Sequence, residues 1–456
     1  MQVLEESSTE SSDNELDLER LDSEPMDVQQ SSAVALAINI SKSLVGEGIL
    51  SLPAGVAAGT GVIPSLVIMA AFCCLMMYSF WSIGRCCEAT SARTHGEVGL
   101  ALGGRKFAAM MEVVNLLKSG LACAAYALVI GKNGSDVLYT FGVEGWIQTP
   151  QGCFLFVLVT SLLPLCFIRD LSRLAWTSLF GLLCEVAVVI FMIVRLVGGE
   201  YRVGGTFYES QLPTTEVSWG FGGPQIYTVN LSVFVLIGSM STAFLAHYNA
   251  PKFYHQLRVR NPKTFFWATA GGYLLALLLY ATGMVVGYLT FGQNCKGNIL
   301  HNYSPRDLGA TFCRMMIMLA TSCGFPLCFT GLRSATLALF SWDSQSLTWV
   351  PVNLLLLSVI AVLGSILTDL GVVNSLGGVT LGTLIELVFP GLMIIWTYRA
   401  KLGKWRLGAF EGTMVAYTLI GLGGVLFVFG TTTVLWIKVF HFRLYHTTTV
   451  YLPGTS

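Results

Sequence analysis

Charge is what this sequence has least of. Its 456 residues include 26 Lys and Arg and 26 Asp and Glu, so charged side chains make up 11% while hydrophobic ones reach 54%. A soluble chain of this size cannot cover its surface on so little, since about a quarter of a typical soluble domain is charged. Enzyme signatures are missing too: there is no H-E-x-x-H, no G-x-S-x-G, no P-loop and no dinucleotide fingerprint. An enzyme is not expected, and no catalytic residue is assigned. The 12 cysteines fall mostly in apolar runs and show no C-x-x-C or Cys/His zinc spacing, so no metal and no other cofactor is expected. Cys295 stands apart in a polar loop, with Cys153 or Cys313 as the expected disulfide partner on an oxidising side. Nothing calls for a nucleic-acid partner.

What is abundant is apolar length. The mean hydropathy is +0.67, and a membrane helix needs roughly 20 predominantly apolar residues. Such runs occupy about 33–58, 61–84, 107–131, 151–168, 174–197, 225–250, 264–291, 308–341, 349–367, 371–397 and 412–437. The expectation is an all-α polytopic protein of eleven spans in a lipid bilayer. Residues 1–32 carry ten acidic side chains against the single Arg20 and no aromatic. That tail cannot bury enough surface to fold alone and is read as disordered. It lacks the basic and apolar regions of a signal peptide.

Lys and Arg in the connections set the orientation. One side holds fifteen, including Arg85, Arg93, Arg105, Lys106, Arg169, Arg173, Lys252 and Arg399, while the other holds six. The acidic tail is therefore expected in the cytosol, with residues 438–456 as a short tail on the opposite side. Two Asn-X-Ser matches, at Asn133 and Asn302, fall on that non-cytosolic side and are the expected glycosylation sites, although Pro305 weakens the second.

The first span is the odd one. NISKSLVGEGILSLP, Asn39 to Pro53, places Lys42, Glu47, Gly46, Gly48 and Pro53 inside an apolar run. A charge at a helix centre costs ~2.5–3.5 kcal/mol on insertion scales. Lys42 and Glu47 are five residues apart, poor spacing for a pair on a straight helix. Glycine permits an interruption, and an interrupted span survives only where its freed backbone groups face protein or a wet cavity. There the new helix N-terminus suits an anion, and the preceding carbonyls suit a cation. The sixth span shows a second interruption, IGSMSTAFLAHYNAP, Ile237 to Pro251. If the first ten spans form two halves of five, spans one and six correspond and the halves are inverted relative to each other. Of the remaining intramembrane charges, Glu185 and Glu386 look central, as partners or proton relays. Glu112, Lys118, Arg195, Arg314 and Arg333 also lie within or near spans, and those close to an end, particularly the arginines, can snorkel. His247 is a span histidine suited to packing or to titration.

NISKSLVGEGILSLPAG resembles the first-span signature of the amino acid/auxin permease family, which holds proton-coupled and sodium-coupled amino acid transporters. PLCFIRDLSRLAWTS, AFLAHYNAPKFY and FPLCFTGLRS are further matches, and the resemblance covers about residues 33–437. It implies a leucine-transporter-like fold, a 5+5 inverted repeat (repeat one about 33–197, repeat two about 225–397) with an eleventh transmembrane helix at 412–437. It also implies carriage of an amino-acid substrate by alternating access. Carried over by position, the backbone N–H groups of Gly46, Glu47, Gly48 and Ile49 hold the substrate carboxylate. Ser241, Thr242 and Phe244 face its ammonium and side chain, with Tyr126 as a further lining residue. Glu47 departs from the small residue usual in the family, leaving three roles open: a cation-preferring pocket, a proton carrier, or a partner for Lys42 across the break. Sodium-coupled relatives carry a neutral polar residue at Lys42 and similar proton-coupled ones a lysine. Its ammonium is expected to replace bound sodium by reaching Thr321 or Ser322, so a proton is the expected coupling ion. An amino-acid sensor and a carrier of another organic acid are the alternative readings. The plasma membrane and a vacuolar or lysosomal membrane are the expected locations.

Overall fold

The computed structural model describes residues 31–167, 175–208, 225–340, 349–400 and 409–437. The acidic tail before Ser31, the tail from 438 and most of the fourth-to-fifth junction lie outside the described residues. Among those described, eight helices are long and apolar enough to cross a membrane, and a ninth crossing is a pair bent by 56°, Ala33–Leu44 and Gly48–Ala57. Two shorter apolar helices, Pro150–Cys166 and Val350–Ile366, occupy the fourth and ninth places.

Span one begins where Ser32 accepts a hydrogen bond from the Ala35 amide. Its backbone leaves the helix at Val45, which is extended, and re-enters at Gly48 with Glu47 in the capping position. Span six runs Val233–Ala243, breaks over Phe244–Ala246, and continues as a short 3-10 turn and Ala250–Gln256. Here sequence pattern and structure differ, since residues 225–232 are not helical. The carbonyls of Gln225, Ile226 and Thr228 instead accept the N–H groups of Val62, Ile63 and Gly61, satisfying donors that open every helix. The apolar run was occupied in capping span two.

The two breaks touch. A Cβ on Gly48 would stand 2.8 Å from the Cβ of Ala243, so only glycine admits this approach. One hydroxyl serves both: Tyr280 of span seven donates to the carbonyl of Leu44 or, at 3.0 Å, of Ala243, the last residues of the two first halves. At one face the ends of these spans are also joined, with Ser31 donating to Gln256 O and Arg258 donating to Ser31 O. Span ten, Leu370–Arg399, packs on span six where Gly378 meets the Gly238 carbonyl. It contains two π-helical stretches, Gly378–Gly382 and Leu384–Val388, wide turns that frequently mark functional positions.

Span three is part of a long helix, His95–Thr140, with Gly104 at φ 74° interrupting it. Arg105 and Lys106, expected in a loop, begin its second piece. Opposite the Ser31 junction, Arg195 pairs with Glu200 and with the buried Asp307 at 2.6 Å, and Asp307 caps span eight by accepting from Gly309 and Ala310. Arg314 does not snorkel. It is 1% exposed and donates to the carbonyls of Leu300 and Tyr303, with Asp136 3.4 Å away.

Candidate functional site

The polar groups of the interior gather around the two breaks. Lys118 of span three is buried and donates to Thr242 Oγ1 at 2.8 Å, and Thr242 donates to the Asn374 carbonyl at 2.7 Å. The Asn374 amide donates to Ser51 Oγ at 3.1 Å, and Ser51 donates to Gly48 O. Spans three, six, ten and one are thus tied in one chain of hydrogen bonds that ends at the first break. Ser241 donates to Glu386 Oε2 at 2.6 Å, with the Gly378 carbonyl 3.1 Å away as a second acceptor. Glu386 is 0% exposed, and an ionised carboxylate there needs neutralising partners.

In this structure the Ser241 and Thr242 hydroxyls are bonded to Glu386, Asn374 and Lys118, because each sits at the end of a helix pressed against span ten. Phe244 is fully buried, its ring stacked with Tyr273 at 6.2 Å and edge-on to Tyr280 at 5.3 Å. Tyr126 does reach the break: a Cβ on Gly46 would stand 3.4 Å from its hydroxyl, and one on Gly324 of span eight 3.4 Å from its ring.

The amides of the break are partly in use. Ile49 N–H donates to Gly46 O at 3.2 Å, so that expected carboxylate ligand is already occupied. The Glu47 side chain makes no capping bond to the new helix and is turned back toward its own backbone N–H. Glu47 does not pair with Lys42. The charges acting on it are Lys118 and Glu185, because the break turns its side chain toward span three.

Lys42 lies against span five. Its ammonium fills a notch at Gly181 in span five, where a Cβ would meet Nζ at 2.6 Å, and it is the charge acting on Glu185. The notch borders Ala320, one residue before Thr321. Ser322 donates to Met318 O at 2.8 Å within its own helix, a bond that competes with a lysine partner. Lys42 therefore reaches the neighbourhood of the span-eight hydroxyls, and its charge acts on Glu185.

Two other expectations are corrected by burial. Asn133 is 0% exposed within the long third helix, where its side-chain oxygen is 3.4 Å from Asn298 Nδ2, so no glycosyl group can reach it. Asn302 is held by bonds to the Asn294 carbonyl and the Lys296 amide. All 12 cysteines are free thiols: Cys295 faces the Gly287 carbonyl at 3.6 Å, and Cys153 packs at Gly134. His247 packs edge-on to Phe80, with its Nε2 3.2 Å from the Met76 carbonyl. His95, outside the expected span, is a second buried histidine. Lys118 is the residue that sequence reading undervalues, since it gives this charge within span three no partner.

Against known proteins, the chain is 24% identical over 422 residues to amino acid transporter AVT6E of Arabidopsis thaliana, covering 88% of this chain and 83% of the relative. It is 21% identical over 427 residues to sodium-coupled neutral amino acid transporter 7 of Bos taurus, covering 88% and 86%. Among solved structures it is similar to MhsT in complex with L-phenylalanine, with a TM-score of 0.57, 12% identity and coverage of 90% and 100%. It is also similar to Mhp1, a nucleobase-cation-symport-1 family transporter, with a TM-score of 0.56, 12% identity and coverage of 94% and 95%. These likenesses give the fold, an all-helical leucine-transporter-like inverted repeat. With residues 29–436 matching the family described as transmembrane amino acid transporter protein, the chain belongs to that family of membrane transporters and is not an enzyme.

Proposed function

We propose that this chain is a secondary active carrier that moves amino acids by alternating access, with a proton rather than sodium as its coupling ion. The observation that carries the reading is a charge imbalance. Around the two breaks, among the described residues, stand three carboxylates (Glu47, Glu185 and Glu386) and two ammoniums, Lys42 and Lys118. A zwitterionic amino acid adds no net charge, so the loaded interior needs one further positive charge to avoid an uncompensated carboxylate in the membrane. Lys42 in the Gly181 notch supports a proton over sodium, because a fixed ammonium repels a second cation at close range. The N-terminus is assigned to the cytosol on the loop charges, and the membrane is either the plasma membrane or that of a vacuole or lysosome.

Purified protein in liposomes, given a panel of labelled amino acids without sodium, tests this. Accumulation that requires an inward proton gradient is expected. Uptake that instead requires sodium, or saturable binding without uptake, would overturn it. Lys42→Ala should abolish gradient-driven uptake, and normal pH-driven transport in that variant would remove Lys42 from the mechanism.

A further inference from the structure

Spans five and ten carry the same short pattern. GLLCE, Gly181 to Glu185, and GTLIE, Gly382 to Glu386, share glycine, leucine and glutamate at one spacing. A Cβ on Gly181 would meet the Lys42 ammonium, and one on Gly382 would meet the Ser241 hydroxyl. Lys42 and Ser241 each stand two residues before the last helical residue of their broken spans, Leu44 and Ala243. In both halves, then, the fifth helix opens a glycine notch for the side chain just ahead of the break and sets a glutamate one turn further on.

The halves diverge in charge. Lys42 brings its own positive charge to Glu185, whereas Ser241 is neutral and Glu386 depends on Lys118 of the other half. Lys118 is shared, since Glu386 and Glu47 both act on it. No other cation faces Glu386 from the described residues around it. Ser79 of span two donates to its backbone carbonyl, Tyr273 comes from span seven, and His247 of span six is turned to Met76 O. Span eleven meets the segment with Gly423, against Leu387 and Val388. Glu386 Oε1 is buried and has no hydrogen-bond partner, a costly state it shares with Glu185 Oε2 of span five and one that points to a missing ligand. Glu386, unlike Glu185, is acted on by no cation of its own repeat among the described residues.

We propose that Glu386 carries the coupling proton and that Lys118, divided between Glu386 and Glu47, is the positioning residue that relays its protonation to the substrate break. This rests on the proton-coupled reading above. A proton from one aqueous face bonds to Glu386 Oε1 and turns the carboxylate into a neutral acid; no other covalent bond changes. The Lys118 charge then acts on Glu47 alone and draws its carboxylate away from its own N–H, leaving the amides of the break to the substrate carboxylate. Loss of the proton at the other face returns Lys118 to Glu386 and Glu47 to its own N–H, weakening the hold on the substrate. Amino acid and proton therefore bind cooperatively and travel together.

The test uses full-length protein in liposomes and the panel amino acid taken up fastest. Wild-type binding should weaken about tenfold per pH unit above the protonation range, as one linked proton requires. Glu386→Gln, permanently neutral, should bind at alkaline pH as tightly as wild type at acidic pH. It should exchange labelled for unlabelled amino acid, which also shows that it is folded, yet fail to accumulate on a gradient. Glu47→Gln should lose the pH dependence with Glu386 intact, and decides the matter if Glu386→Gln does not fold. Glu185→Gln, the symmetry-related change, should keep it. Gradient-driven accumulation by Glu386→Gln, or wild-type pH dependence in Glu47→Gln, would overturn the proposal. A wild type indifferent to the gradient would overturn the proton-coupled reading beneath it.

Discussion

In the first half of the molecule the residue two places before the break is Lys42, resting in the Gly181 notch beside Glu185; in the second half the same place is held by Ser241, in the Gly382 notch and bonded to Glu386. The two sites share a backbone plan and differ in where the positive charge comes from. In the first, the cation and the glutamate it acts on belong to one repeat. The second borrows Lys118 from span three, so its neutrality depends on how the two repeats stand relative to each other. Alternating access moves the repeats or their bundles past one another. A charge pair inside one repeat can ride through that motion, while a pair shared between repeats is made or broken by it. The comparison thus separates a fixed charge, suited to excluding sodium, from a conditional one, suited to sensing a proton.

Moving the charge is the sharpest way to break this comparison. Lys118→Met removes the donor to Thr242 and the described cation that acts on both Glu386 and Glu47, and leaving a buried charge uncompensated costs about 3–5 kcal/mol. Uptake should fall by at least ~100-fold, since each 1.4 kcal/mol is about tenfold. If the notches are equivalent, adding Ser241→Lys to that variant places an ammonium in the second half as Lys42 is placed in the first. The double variant should recover sodium-independent binding of the amino acid but not its pH dependence, because the new charge no longer moves between Glu386 and Glu47. Binding and uptake in liposomes would check this. A double variant as inactive as Lys118→Met would show that the two notches are alike in outline only.

Much of this fold was legible in the sequence because membranes penalise irregularity heavily. Eleven apolar runs and two interruptions follow from hydropathy and from glycine, charge and proline inside span one. What stayed hidden depends on contacts between distant helices. In the sequence Lys118 is one of several charges within or near the spans, and only the bond to Thr242 and the charge of Glu386 single it out. The GLLCE and GTLIE repeat was present as letters. Three matching positions in apolar helices carry little information, however, until the two breaks fix the frame in which they correspond. Asn133 was misread for a related reason: a sequon is a pattern of three residues, and burial of its asparagine is a property of the whole helix packing. That the Lys42 charge acts on Glu185 as well was hidden because Glu185 lies far along the chain, in a helix whose rotation the sequence does not show.

The glycines test the comparison at smaller scale. At Gly382 an added methyl meets the Ser241 hydroxyl, a short side chain that can yield only by rotating away from Glu386. Gly382→Ala should therefore cost about 1–3 kcal/mol, the usual range for overpacking, and lower gradient-driven uptake several-fold, measured beside its melting temperature in detergent. Gly181→Ala carries the smallest effect. There the methyl meets Nζ and Cε of Lys42, at 2.6 and 3.2 Å, the far end of a long flexible chain. The ammonium can shift while staying near Glu185, because a lysine reorients as a compact charge on a mobile stem. Alanine also suits a helix interior better than glycine by roughly 0.5–1 kcal/mol, which offsets part of the crowding. Thermal unfolding should change little and uptake should stay within about twofold of wild type. Should Gly181→Ala prove as damaging as Gly382→Ala, Lys42 would be held in one rigid geometry, and the first half would be as finely set as the second.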